Sequence, residues 1–144
     1  MKKILFTAFM AAAVTISSFA ADVTKVNRTV LNKFATEYAG AENVSWKVTS
    51  EFTKASFVLD GDVMEVFYNN DGEHIAASKK VDYKAIPFSA QKTIRTKYAS
   101  YAVLETVLLE KTGLGTSFYV SVENNGKKKV LEVSLLGDVS EYNK

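Results

Sequence analysis

Cysteine is missing from all 144 residues, which removes disulfide frameworks, thiolate nucleophiles, cysteine-held metals and lipid-modified cysteine anchors in one stroke. Histidine occurs once, at His74. A serine nucleophile would therefore have a single candidate base, and a zinc site could not gather enough ligands. Proline also occurs once, at Pro87, and tryptophan once, at Trp46. Basic residues are not clustered except at Lys127, Lys128 and Lys129, a run that fits a solvated hairpin tip, so nucleic-acid binding is not expected. The "GLG" at residues 113 to 115 has no strand-to-helix setting for a phosphate loop. "NNDGE" at residues 69 to 73 would need a carboxylate near Lys80 to close a calcium loop. No metal, no cofactor and no catalytic residue is expected, and Glu65 with Glu132 is the one carboxylate pair that invites a glycosidase reading.

What the chain does have begins at its amino terminus. "MKKILFTAFMAAAVTISSFA" carries Lys2 and Lys3, an apolar run from Ile4 to Ile16, and small residues at Ser18 and Ala20. That is the pattern of a cleaved secretory leader over residues 1–20. The run is shorter than the roughly 20 residues a bilayer span needs, so no transmembrane segment is expected after cleavage, and the expected location is periplasmic or secreted. Loss of Lys2 and Lys3 leaves 16 of the 18 Lys and Arg against 16 Asp and Glu. The remaining 21–144 is expected to fold as one near-neutral domain.

Along that domain a pattern occurs twice. Val26, Val30, Phe34 and Tyr38 recur every four positions, which predicts an amphipathic helix of about 16 residues ending at Gly40. Period-two alternation follows in Val44, Trp46 and Val48; in Ala55, Phe57 and Leu59; in Met64, Val66 and Tyr68; and in Ile75 and Ala77. These predict four strands, with turns at Asp60-Gly61 and Asp71-Gly72. Pro87 then fits the first turn of a second helix carrying Ala90, Ile94 and Tyr98. "TVLLE", "SFYVSVE", "KKVLEVSLL" and "DVSEY" predict four more strands, with turns at Asn125-Gly126 and Gly137. The offset between equivalent positions grows from about 60 to about 65. The expected fold class is α+β: two tandem helix-plus-four-strand repeats, about 22–80 and about 81–144, forming one antiparallel sheet with helices packed on one face.

Two-residue turns fix register. Asp60-Gly61 sets Val58 opposite Val63, Phe57 opposite Met64, Ser56 opposite Glu65 and Ala55 opposite Val66. Asn125-Gly126 sets Val120 opposite Leu131, Phe118 opposite Val133, Tyr119 opposite Glu132, Ser121 opposite Val130 and Glu123 opposite Lys128. Phe57, Met64, Phe118 and Leu131 then belong to a greasy face under the helices. Val58, Val63, Glu65, Phe67, Tyr119, Val130 and Glu132 belong to a mixed face open to solvent, the candidate partner-binding surface. His74 is expected on that mixed face as an ordinary exposed side chain.

Four strings carry a resemblance. "NVSWKV" follows the first helix, "F-x-x-x-G-x-x-x-E-V-x-Y-x-x-D-G" runs from Phe57 to Gly72, Ile86-Pro87 opens the second helix, and "G-x-x-x-x-L-E-V" runs from Gly126 to Val133. They are similar to the β-lactamase-inhibitor-like, PepSY-like family of exported bacterial proteins, over essentially the whole chain after the leader. The resemblance implies the same tandem architecture and a function of gripping a partner with the uncovered sheet face, without catalysis. The secreted inhibitor it resembles has disulfides and this chain has none, so no inhibitory residue is carried across. The expected function is an exported binding module that inhibits or regulates an exported or envelope protein. Self-association through the same face and a receptor for a small molecule or peptide in the sheet groove are the competing expectations.

Overall fold

The computed structural model describes residues 23–142; the expected leader lies outside the described residues. Ten elements carry the architecture: α1 (Arg28–Glu37), β1 (Glu42–Val48), β2 (Thr53–Leu59), β3 (Asp62–Tyr68), β4 (His74–Val81), α2 (Phe88–Lys97), β5 (Ala102–Lys111), β6 (Gly115–Asn124), β7 (Lys127–Ser134) and β8 (Val139–Glu141). The fold is α+β, one helix and four strands given twice, and the eight strands follow sequence order through a single sheet. By compactness the described chain divides into two units: 23–79 with 110–114, and 80–109 with 115–142.

In the first unit α1 is shorter than its periodicity suggests, 10 residues rather than about 16. Tyr38 already caps its end, and Asn27 sets its start. Its backbone is extended (φ −57°, ψ 133°) and its Oδ1 accepts the Thr29 N–H at 2.9 Å, which starts the helix there. A 3-10 turn over Val23–Lys25 takes up the residues before it. Val26 remains buried with Val30 and Phe34 against Trp46, Ala55, Phe57, Val66 and Tyr68, and Met64 packs at the margin. The Phe34 ring stands edge-on to both Trp46 and Phe57 with centroids 5.0 Å apart. Strands β2 and β3 pair in the predicted register from Thr53↔Tyr68 to Leu59↔Asp62. Asp60 and Gly61 both have positive φ (51° and 84°), as a type I′ turn requires.

The second unit repeats the scheme with different side chains. Pro87 occupies the N-cap of α2 rather than its first turn, because its ψ of 142° is extended. Gln91 secures the entry by donating from Nε2 to the Ile86 carbonyl at 3.0 Å. Ile86, Ala90 and Ile94 bury against Val120, Val122, Leu131 and Val133, with Phe118 packed beside them. Register across Asn125-Gly126 runs as predicted from Ser117↔Ser134 to Asn124↔Lys127. Beside this core Glu141 accepts from Lys129 Nζ at 2.6 Å and from Tyr98 Oη at 3.1 Å. These bonds hold its carboxyl below the usual range and, with the neighbouring charge, raise Lys129.

Phe57, Met64, Phe118 and Leu131 therefore lie with the helix of their own unit, as the alternation requires. His74 does not lie where alternation puts it. A register shift between Phe67 and Tyr68 pairs Tyr68 with His74 while Phe67 pairs with Ala76. The extra residue, Ile75, turns His74 to the side of Tyr68, whose ring is 6.0 Å away, and its Nδ1 lies 3.0 Å from Thr112 Oγ1. It is half-buried rather than exposed.

Candidate interaction face

The strand faces turned away from the helices carry all seven predicted surface residues. In the first unit, pairing sets Lys54 opposite Phe67, Ser56 opposite Glu65 and Val58 opposite Val63, so these six share one face. Glu65 Oε1 accepts from Lys54 Nζ at 2.5 Å and from Ser56 Oγ at 3.0 Å. Lys54 in turn holds its ammonium 5.9 Å from the Phe67 ring centroid, a cation–π contact that leaves its stem along the ring. Phe52, one alternation earlier, stacks its edge on Phe67 at 5.6 Å.

Phe67 is consequently only 4% exposed, which corrects the expectation that it offers its ring to a partner. It is a core residue of the uncovered face. Glu65 is committed to Lys54 and Ser56. What remains open is the aliphatic pair nearest the turn, with Val63 44% exposed and Val58 half-buried. Sequence reading missed Lys54 and Phe52, although Phe52, Lys54 and Ser56 alternate in phase and share the parity of Val58.

In the second unit Tyr119 lies opposite Glu132 and Ser121 opposite Val130. Tyr119 donates from Oη to Glu132 Oε1 at 2.7 Å and meets the Tyr142 ring edge-on at 5.5 Å. It is 5% exposed, so the expectation that it is a free aromatic contact is corrected in the same way. Burial first, then the hydrogen bond to Glu132 and that carboxylate's charge, push its phenol far above the ordinary range. At neutral pH it is a hydrogen-bond donor. Val130 and Glu132 are half-buried. The glycosidase pairing loses its symmetry as well: counted from the two turns, Glu132 falls on the position of Phe67, and Glu65 on that of Val130. Among the described residues no group of three or more His, Asp or Glu is placed to hold a metal ion, and no helix is long and apolar enough to cross a membrane.

In the first unit the face offers the Val58 and Val63 methyl groups beside a fixed Lys54–Glu65 ion pair; in the second its Tyr119 phenol and Glu132 carboxylate are bonded to each other.

Solved structures share the arrangement. A BLIP-like protein from Bacteroides fragilis superposes with a TM-score of 0.70 at 22% identity, over 84% of this chain and 90% of that one. The fold is that of a BLIP-like protein. A candidate periplasmic protein from Bacteroides eggerthii matches with a TM-score of 0.74 at 15% identity, over 82% of this chain and 88% of its own. A DUF2874 family protein from Bacteroides uniformis gives 0.72 at 14% identity, over 79% and 86%. No family model and no curated protein matches the chain by sequence. At these identities the shared feature is the fold.

Proposed function

We propose that the chain is an exported, non-enzymatic binding module that docks an exported or envelope protein through the sheet face turned away from α1, and thereby inhibits or regulates it. The observation that carries this reading is the Val58–Val63 pair, an aliphatic rung left open beside a Lys54–Ser56–Glu65 network whose polar atoms are already paired. A face with its polar groups satisfied internally loses little on desolvation, so a partner can cover it cheaply. Phe67 and Tyr119 act as its supports, not its contacts. Residues 1–20 would export the chain and be removed, leaving 21–144 as one domain of two repeats. A periplasmic or secreted location agrees with the leader pattern and with the description of one structural neighbour.

The test is affinity capture from the native envelope with the wild-type chain and with Val63→Asp. The substitution places a carboxylate on an exposed rung, so the fold should survive while the captured protein is lost. Equal capture by both chains would remove the reading. Concentration-dependent self-association abolished by the same substitution would assign the face to a homodimer instead.

A further inference from the structure

A different part of the second unit carries apolar side chains that its fold does not require. The loop between β7 and β8 holds the Ser134 N–H to the Asp138 carbonyl at 2.9 Å and the Gly137 N–H to the Ser134 carbonyl at 3.0 Å. Its glycine lies against the start of α2, where an added Cβ would be 3.2 Å from Pro87 Cβ. Gly137 thus packs on the residues either side of Phe88, and Leu135 and Leu136 directly precede it in the turn. Leu135, Leu136 and Phe88 are 56%, 88% and 73% exposed.

The first unit contains the same device. There the Asn69 N–H bonds the Glu73 carbonyl at 2.9 Å, the Gly72 N–H bonds the Asn69 carbonyl at 3.0 Å, and a Cβ on Gly72 would lie 3.3 Å from Thr29 at the start of α1. The positions equivalent to Leu135, Leu136 and Phe88 are Asn70, Asp71 and Arg28. Identical loop geometry is thus built with polar residues in one repeat and with two leucines and a phenylalanine in the other. The apolar set is not a folding requirement.

Charge says what it faces. Between Asp82 and Glu105 there is no acidic residue, whereas Lys84, Lys92, Arg95 and Lys97 all fall there. Phe88, Lys92 and Arg95 lie at i, i+4 and i+7, on the side of α2 opposite the buried Ala90 and Ile94. Neither Lys92 nor Arg95 enters an ion pair among the described residues, and two cations stand against the loop's one carboxylate, Asp138, which accepts from Ser134 Oγ at 3.0 Å and keeps its charge. Three side chains are too small a patch for a protein interface, which needs on the order of 800 Å² on each partner. They suffice for shallow insertion into a bilayer boundary, roughly 5–10 Å deep, when cations flank them.

We propose that Phe88, Leu135 and Leu136, flanked by Lys92 and Arg95, form a contact site for an anionic lipid surface. The three apolar side chains seat at the headgroup boundary and the cations meet lipid phosphates. This site does not depend on the sheet-face reading.

The experiment is co-sedimentation with vesicles of phosphatidylglycerol and phosphatidylethanolamine, compared with vesicles of phosphatidylcholine alone. It uses the chain recovered after export, its amino terminus read by mass spectrometry and identical in every variant. Wild type should partition to the anionic vesicles and be released by salt. F88S/L135S/L136S and K92E/R95E should each lower partitioning roughly tenfold or more with thermal unfolding unchanged, since every altered side chain is exposed. Equal binding to both vesicle types, no binding to either, or anionic binding that both variants retain would overturn the proposal. So would a concentration-dependent dimer that F88S/L135S/L136S dissolves, because the patch would then belong to a second copy of the chain.

Discussion

Gly137 and Gly126 share a positive φ and have opposite surroundings. Both have positive φ, 97° and 77°, a region that costs an L-residue about 1–2 kcal/mol. An alanine Cβ at Gly126 meets nothing within 4 Å, whereas at Gly137 it would lie 2.0 Å from Ser89 Oγ. Gly126→Ala should therefore cost about 1–2 kcal/mol of stability, and Gly137→Ala about 3 kcal/mol or more, read from urea midpoints. Removing the obstructing hydroxyl with Ser89→Ala should recover part of the Gly137→Ala loss, a coupling that a double-mutant cycle isolates. The buried phenols make a second residue-level prediction. Tyr68 and Tyr119 are both pushed above the ordinary value of 10.0, first by burial and then by the carboxylates they bond, Glu37 and Glu132. A group whose folded pKa is raised binds its proton more tightly in the native state. Its contribution is fully present below pH 10 and declines as pH rises beyond that value, where the unfolded chain ionises first. Stability should fall from about pH 10 upward, and Tyr119→Phe should flatten that fall. Thermal unfolding followed at several alkaline pH values checks the sign: stability rising above pH 10 would contradict it.

At the scale of elements, the two cores use different chemistry to seat a helix on its strands. α1 relies on Phe34 standing edge-on between Trp46 and Phe57, and α2 on Ala90 and Ile94 lying flat against Val120, Val122, Leu131 and Val133. Phe34→Ala removes a ring and its three aromatic contacts, with Tyr38, Trp46 and Phe57, and should cost about 3–5 kcal/mol. Ile94→Val removes one methyl and should cost about 1 kcal/mol. Denaturant titration distinguishes them, and similar small losses for both would show that the Phe34 ring is not what seats α1. The strand registers were legible in the sequence because Asp60-Gly61 and Asn125-Gly126 leave a two-residue turn only one pairing that keeps large side chains on one face. The helix starts were less so. Asn27 caps α1 inside a run that periodicity alone extends, and Pro87 stands just before α2, a one-residue distinction decided by ψ. At Phe67 and Tyr68 the bulge inverted the side predicted for His74, since alternation carries no mark of an inserted residue. The same limit applies to β1, where the pairing shifts between Glu42 and Ser45 around the positive φ of Asn43 and leaves Val44 exposed.

For the whole molecule, the sequence identified which residues face away from the helices but not which of them water reaches. Period two assigns a side of the sheet; burial on that side depends on which neighbours lie over each residue, Phe52 and Lys54 over Phe67 and Tyr142 against Tyr119, and the alternation is silent about those. Phe67 and Tyr119, the two rings that look most like contact residues on paper, are the two best covered. This reverses their value as probes. Phe67→Ala leaves Phe52 and the Lys54 stem without their packing partner and should cost about 3–5 kcal/mol, so its loss of partner capture would report unfolding. Val63 carries the information instead. Val63→Asp should leave the urea midpoint within about 0.5 kcal/mol of wild type, as exposed substitutions do, while abolishing capture, because a partner that covers the Val58–Val63 rung would have to desolvate the new carboxylate. Measured together, the two variants separate folding from binding: a Val63→Asp chain that is stable and still captures its partner places the contact elsewhere, and a Phe67→Ala chain as stable as wild type shows that the uncovered face has no core of its own.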